Sequence, residues 1–304
     1  MSRTKTTSKK KNTTSDIPEK KYPLGLLLPL IMILAVIPLI VRLHLYDTGL
    51  SQFDWFSGRT TTMDFFLYFK MIWLHITNCC IIFILAFLFL TEEKQPVWNK
   101  ILIPLIIYAV IALLSAFLSK YSHFSFHGIY EQFEPVWVLL GYVLIVYYAF
   151  FILRSTAAVK RTMNYLTGGV AIMCLIGLSQ AFSHDFFNTA LGRALMIPSK
   201  YRHMELQFKF PKGQAYLTLY NPNYVGLYVA LLVPVLLALL LSAKKLWQRL
   251  LYIALILGLL LTLFASQSRA GIIALIPSLL VMLLCMRKKF LKNWKLGIIG
   301  IAAI

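Results

Sequence analysis

The sequence predicts an all-α, polytopic transmembrane helical bundle of about eight spans plus a truncated ninth, with a cytoplasmic N-terminus. Three observations predict it. Hydrophobic residues make up 59% of the chain, well above the roughly 45–50% of soluble domains. Apolar stretches near the 20-residue length that crosses a hydrocarbon layer about 30 Å thick recur along it. Lys and Arg crowd alternate connections between those stretches, as short cytoplasmic loops require.

The elements follow in order. Residues 1–22 (MSRTKTTSKKKNTTSDIPEKKY) are polar and basic, with no aromatic before Tyr22. They are expected to form a disordered cytoplasmic tail lying near anionic lipid. Residues 23–304 form one transmembrane domain, its spans expected near 24–43, 65–90, 101–119, 135–153, 162–182, 221–241, 250–264 and 271–286. No small-residue cleavage site follows the first run, so it is read as a retained signal-anchor helix. A further run, LGIIGIAAI, opens at Leu296 and stops at Ile304. About nine residues cannot span a bilayer, so the chain is expected to be the first part of a longer protein.

Charge orients the bundle. Segments 1–22, 91–100, 154–161, 242–249 and 287–295 hold 7, 2, 3, 3 and 5 Lys/Arg, whereas 44–64, 120–134 and 265–270 hold one each. The first set is read as cytoplasmic and the second as external. The loop 183–220 carries Arg193, Lys200, Arg202, Lys209 and Lys212. It is taken as external because long loops obey the rule weakly. The net charge of +19 is thus mostly a topology signal. Membrane lipid is the expected partner and nucleic acid is not.

Within the long loop, MELQFKF alternates apolar and polar positions, PKG supplies a turn and QAYLTLY resumes, which predicts a surface hairpin. NPNYVGLY then opens the sixth span. Asn221 suits an N-cap, Pro222 a first helical turn, and Asn223 faces the outer interface.

The candidate site residues are the polar groups at the outer ends of spans. Arg269, in ASQSRAGII, stands between two apolar runs. It either snorkels from a helix end or holds an anion there. Its small neighbours allow close approach by a ligand or a helix. Lys70 lies just inside the second span after Asp64, either paired structurally or lining an outward cavity. Glu131 and Glu134 precede the fourth span. On a helix they would share a face, where one of them could act as a base toward an acceptor hydroxyl. The external histidines, His123, His127, His184 and His203, are read as surface groups. No Asp or Glu lies deep in a span, so there is no proton or sodium relay to read. Cys79, Cys80, Cys174 and Cys285 fall within spans without metal-ligand spacing. Neither a disulfide framework, nor a metal, nor a cofactor is expected.

Three stretches together resemble the O-antigen ligase and O-antigen polymerase superfamily of bacterial membrane proteins. TLYNPNYVGLYVALLVPVLLALLL is similar to its Asn-bearing helix start and Pro-containing span, and ASQSRAGIIAL to its Ser-Arg-Gly/Ala signature. FHGIYEQFEPVWVLLGYVLIVYY is similar to an earlier external segment, though Gln132 stands where many relatives carry arginine. The likeness runs from about Asp64 to the end and is most specific across 217–275. It implies a multi-pass protein of the bacterial inner or cytoplasmic membrane. Such a protein transfers a glycan from an undecaprenyl-diphosphate donor to a glycan or lipid acceptor, without metal or cofactor. By resemblance, Arg269 clamps the diphosphate, transfer inverts the anomeric centre, and a further arginine and histidine lie beyond Ile304. Asn223, Lys70 and Glu134 are the candidate substrate-binding residues. A lipid-linked glycan flippase and a non-enzymatic sensor or scaffold are the other functional classes considered.

Overall fold

The computed structural model describes residues 23–292 except 52, 54–57, 59, 92–95, 97, 130 and 204–209, and only the backbone of 288–292. The N-terminal tail and the run beginning at Leu296 lie outside the described residues.

Helix α1 (Leu24–Ile31) runs through a π turn, Met32–Val36, into a 3-10 turn, Ile37–Leu39. The first apolar run was expected to stay helical to residue 43, but it stops at Leu39. Pro38 lacks the N–H that would continue the ladder, and its ring crowds the preceding turn. The chain then extends into a two-stranded antiparallel ribbon, β1 (His44–Asp47) and β2 (Thr61–Asp64), with His44 opposite Asp64. The Asp64 carboxylate accepts from the backbone N–H of Leu67 (2.9 Å) and Tyr68 (2.8 Å). This satisfies free donors at the start of α2 (Tyr68–Leu90).

The remaining helices are α3 (Ile103–Leu118), α4 (Ser122–His127), α5 (Val136–Ile152), α6 (Thr156–Ala181), α7 (Ala190–Met196), α8 (Pro222–Ser242), α9 (Leu246–Ser266) and α10 (Arg269–Lys292). Among the described residues six segments are long and apolar enough to cross a membrane: α2, Lys100–Leu118, α6, α8, α9 and Arg269–Arg287. Leu24–Leu39 and α5 are apolar but shorter. The chain is a multi-pass, membrane-embedded helical protein.

Burial separates the interior of the bundle from its rim. The core joins α6, α8 and α9 through Val170, Met173, Val229, Val233, Leu259 and Leu263. A second cluster packs α1, α2 and α5 around Tyr148, whose hydroxyl donates to Leu26 O at 2.7 Å. In contrast, only 11% of the apolar stretch within Lys100–Leu118, and 11% of that within Arg269–Arg287, is buried. Ile111, Phe117, Ile273 and Leu284 project outward. An apolar helix exposed on most of its circumference is at home against lipid.

Small residues set the interior seams. A Cβ on Gly169 would meet the Ala35 backbone at 2.8 Å, and one on Gly258 would meet Cys174 Sγ at 2.2 Å. Close approach of this kind favours packing in lipid, where no hydrophobic force drives helices together and van der Waals contact must do so. The β ribbon, α4, α7 and the 210–220 segment gather at one end of the bundle, called here the loop-rich end.

Candidate functional site

The site is built where two parallel helices begin. Helices α8 and α9 turn back on each other through 243–245, and α9 and α10 through Gln267–Ser268, so α8 and α10 point the same way. Asn221 caps α8, its side chain accepting from Asn223 N at 2.8 Å. Ser268 caps α10, its Oγ accepting from Gly271 N at 3.1 Å. The same hydroxyl donates to Asn223 Oδ1 at 3.2 Å, joining the two helix starts. Gly226 and Gly271 face one another just below, where a Cβ on Gly271 would lie 2.3 Å from Gly226 Cα.

The SQSR turn alternates by burial. Ser266 and Ser268 are each 1% exposed, while Gln267 and Arg269 are exposed. Ser266 Oγ donates to Leu263 O at 2.7 Å and accepts from Ser268 N at 3.3 Å. Gln267 adopts a left-handed conformation (φ 58°), which ends α9 and releases the chain into α10. Two helix N-termini, each with the equivalent of about half a positive charge, therefore stand side by side. Arg269 is in the first turn of one and Asn223 in the first turn of the other. Two helix dipole ends and an exposed arginine on one first turn lie at this place, a combination that suits an anion.

Lys70 makes a contact far along the chain. Its ammonium donates to the carbonyl of Thr218, which lies in a buried strap, residues 215–218. Thr218 Oγ1 donates in turn to Pro38 O. At its other end the strap is held by Ala215 N, which donates to Ala265 O at 3.2 Å, next to the SQSR turn. Gln180, 2% exposed, staples the middle. Its Oε1 accepts from Tyr216 N (3.0 Å) and Leu217 N (2.7 Å), and its Nε2 donates to Leu217 O (3.1 Å). The second limb of the expected hairpin is therefore turn and buried strap, not strand. Pairing with Gln180 satisfies its backbone in place of a ladder. Residues 204–209 of the first limb lie outside the described residues.

Glu134 stands apart from both. It is exposed, and Tyr142 OH lies 3.5 Å from its Oε1, a long contact. Phe133 meets Tyr46 and Tyr68 edge-on with centroids at 5.1 and 5.5 Å, and His44 stacks on Tyr68 at 3.5 Å. Glu131 and Glu134 do not share a helical face. Helix α5 begins only after Pro135, and Glu131 sits in a turn with φ 59°. Proline disfavours helical geometry in the residue before it, so the carboxylates stay outside the helix.

Two hollows open at the loop-rich end. One, of about 340 Å³, is lined by Asp185, Asn188, Arg193, Phe210, Lys212 and Gln214 among others. It brings together two of the basic residues of the long loop. Lys200 stands elsewhere, over the Tyr201 ring, and Lys209 lies outside the described residues. The other, of about 510 Å³, is lined by Arg42, His44, Phe69, Trp73 and Tyr201 among others. Sequence reasoning passed over Arg42, whose signal was an arginine closing the first apolar run. It also passed over Ser268 and Gln180, whose importance depends on partners remote in the chain. Among the described residues no three His, Cys, Asp or Glu side chains are grouped so as to hold a metal ion.

No protein family, curated protein or solved structure matches the chain.

Proposed function

We propose that this protein is a membrane glycosyltransferase of the O-antigen ligase and polymerase kind. It joins or polymerises an oligosaccharide from an undecaprenyl-diphosphate donor onto a hydroxyl acceptor at the external face of a bacterial cytoplasmic membrane, with its N-terminus inside. The observation that carries this reading is the paired start of α8 and α10, with Arg269 exposed on one first turn and Asn223 on the other.

The chemistry asks for such a place. The acceptor oxygen forms a bond to the anomeric carbon of the donor sugar, and the carbon–oxygen bond to the diphosphate breaks. The electron pair leaves with the diphosphate, and the acceptor proton passes to a base. Charge therefore accumulates on the leaving group, and prearranged donors aimed at it lower the barrier most. A planar guanidinium binds two phosphate oxygens at once. The adjacent helix starts add the positive ends of two dipoles, which need not reorganise. Asn223, fixed by Ser268, borders the same region. Lys70 acts at one remove, by holding the strap that meets the SQSR turn. Glu134, an exposed carboxylate at the same end of the bundle, is left for the acceptor hydroxyl.

The test is binding of a polyprenyl-diphosphate oligosaccharide to the full chain in lipid nanodiscs, comparing wild type, Arg269→Lys and Arg269→Ala. A lost charge-assisted contact is worth about 1.5–3 kcal/mol, so Ala should weaken binding on the order of 10- to 100-fold, and Lys less. Equal affinity in all three would overturn the reading.

A further inference from the structure

We infer that the hollow between α6 and the 210–216 segment binds one negatively charged sugar unit, a hexuronate or a phosphorylated hexose. The inference deepens the reading of the chain as a glycan-transferring protein and rests on it for the choice of ligand, but it does not depend on Arg269.

The floor is rigid. Asp185 follows the end of α6 and accepts from Phe187 N at 3.0 Å and from the Tyr216 hydroxyl. Gln180 Nε2 approaches the same carboxylate at 3.5 Å while its Oε1 holds the backbone of Tyr216 and Leu217. Burial, and then the neighbouring Asp185, hold the Tyr216 phenol above its ordinary range. It therefore stays protonated and keeps donating. Asp185, the carboxylate among the described residues that line the hollow, is thus already engaged from within the protein.

The walls carry what remains. Arg193, from the short helix α7, and Lys212, from the turn before the strap, bring two positive charges to the same hollow. Asn188 and Gln214 present amides that have no side-chain hydrogen-bond partner among the described residues. Half-buried Phe210, stacked on Tyr216 with centroids 4.0 Å apart, adds an apolar wall. Two cations against an engaged carboxylate select an anion. Amides able both to donate and to accept select hydroxyls, and an aromatic wall suits the C–H face of a sugar ring. A hollow of about 340 Å³ is at the small end of ligand sites, which run from about 300 to 1,000 Å³. That size fits a sugar unit and not a polyprenyl chain.

The full chain in nanodiscs would be titrated with a glucuronate-containing disaccharide and with its neutral glucose counterpart, following ligand signals by saturation-transfer NMR. Wild type, Arg193→Ala/Lys212→Ala and Arg269→Ala would be compared, with unfolding midpoints as the folding control. The substituted side chains are exposed, so all three should fold. The acidic disaccharide is expected to bind wild type and Arg269→Ala alike, at least about 10-fold more tightly than the neutral one, and the double variant should lose that preference. Equal binding of the two sugars, or a preference retained by the double variant, overturns the inference. So does competition by inorganic phosphate at concentrations equal to those of the disaccharide, which would mean a site for any small anion. Loss of polyprenyl-diphosphate binding in Arg269→Ala is read separately, so the two proposals fail independently.

Discussion

Ser268 donates to the Asn223 side chain at 3.2 Å while accepting from Gly271 N at 3.1 Å. One hydroxyl both caps α10 and ties it to the first turn of α8. Residues 45 positions apart in the chain thus hold two helix starts in parallel, and Arg269, the next residue, inherits its position from that arrangement.

The closeness of those helices depends on two glycines. A Cβ on Gly226 would fall 2.4 Å from Ser268 Oγ and 2.6 Å from Gly271 Cα, and backbone cannot move aside cheaply. Gly226→Ala is expected to cost at least about 1–3 kcal/mol, lowering the unfolding midpoint in nanodiscs. It should also weaken donor binding, because the helix starts are pushed apart. A wild-type midpoint would show that the seam is loose.

Adjacent glycines on α6 should respond with opposite signs. A Cβ on Gly169 meets the Ala35 backbone at 2.8 Å, whereas Gly168 has nothing within 4 Å. Gly168→Ala should be neutral or should stabilise by up to about 1 kcal/mol through helix propensity. Gly169→Ala should destabilise by more than that. Thermal unfolding of the two variants side by side decides the matter.

Gln180 is the staple of the buried strap. Gln180→Leu keeps most of the volume but leaves the N–H groups of Tyr216 and Leu217 without their acceptor, at about 1–3 kcal/mol each. Hydrogen exchange should quicken across 214–219 while the α2 and α5 backbones remain protected. Unchanged exchange there would mean that Lys70 and Ala265 hold the strap alone.

His44 predicts a pH dependence. Burial lowers its pKa, with Asp64 opposing the shift more weakly. The folded state therefore prefers neutral imidazole, and the unfolded state binds the proton more readily. The stability from this site is complete above the ordinary histidine pKa of about 6.5. It is lost as pH falls through that value toward the lowered folded one. The unfolding midpoint of wild type should drop more between pH 7 and pH 5 than that of His44→Phe, which keeps the stack on Tyr68 without a titrating group. Parallel curves would remove His44 as the cause.

The helices and their polar punctuation are legible in the amino-acid sequence. Apolar runs set where α2, α8, α9 and α10 lie, because a hydrocarbon-spanning helix must be long and apolar regardless of its neighbours. Asn221-Pro222 marked the start of α8 and SQSR the turn before α10, because caps and breakers act over three or four residues. Arg269 and Asn223 were legible for that reason. Tertiary structure decided which of these ends meet. That Ser268 joins Asn223, that Gly226 lies on Gly271, and that Lys70 serves the strap through Thr218 are pairings across 45 to 148 residues, which no local pattern encodes. The same holds for the strap. Its alternation resembles a strand, yet Gln180 offers its backbone a better-buried set of partners than a solvent-facing hairpin would. Helix positions follow from transfer to lipid, which each segment meets alone, whereas the site follows from packing, which segments can only satisfy together.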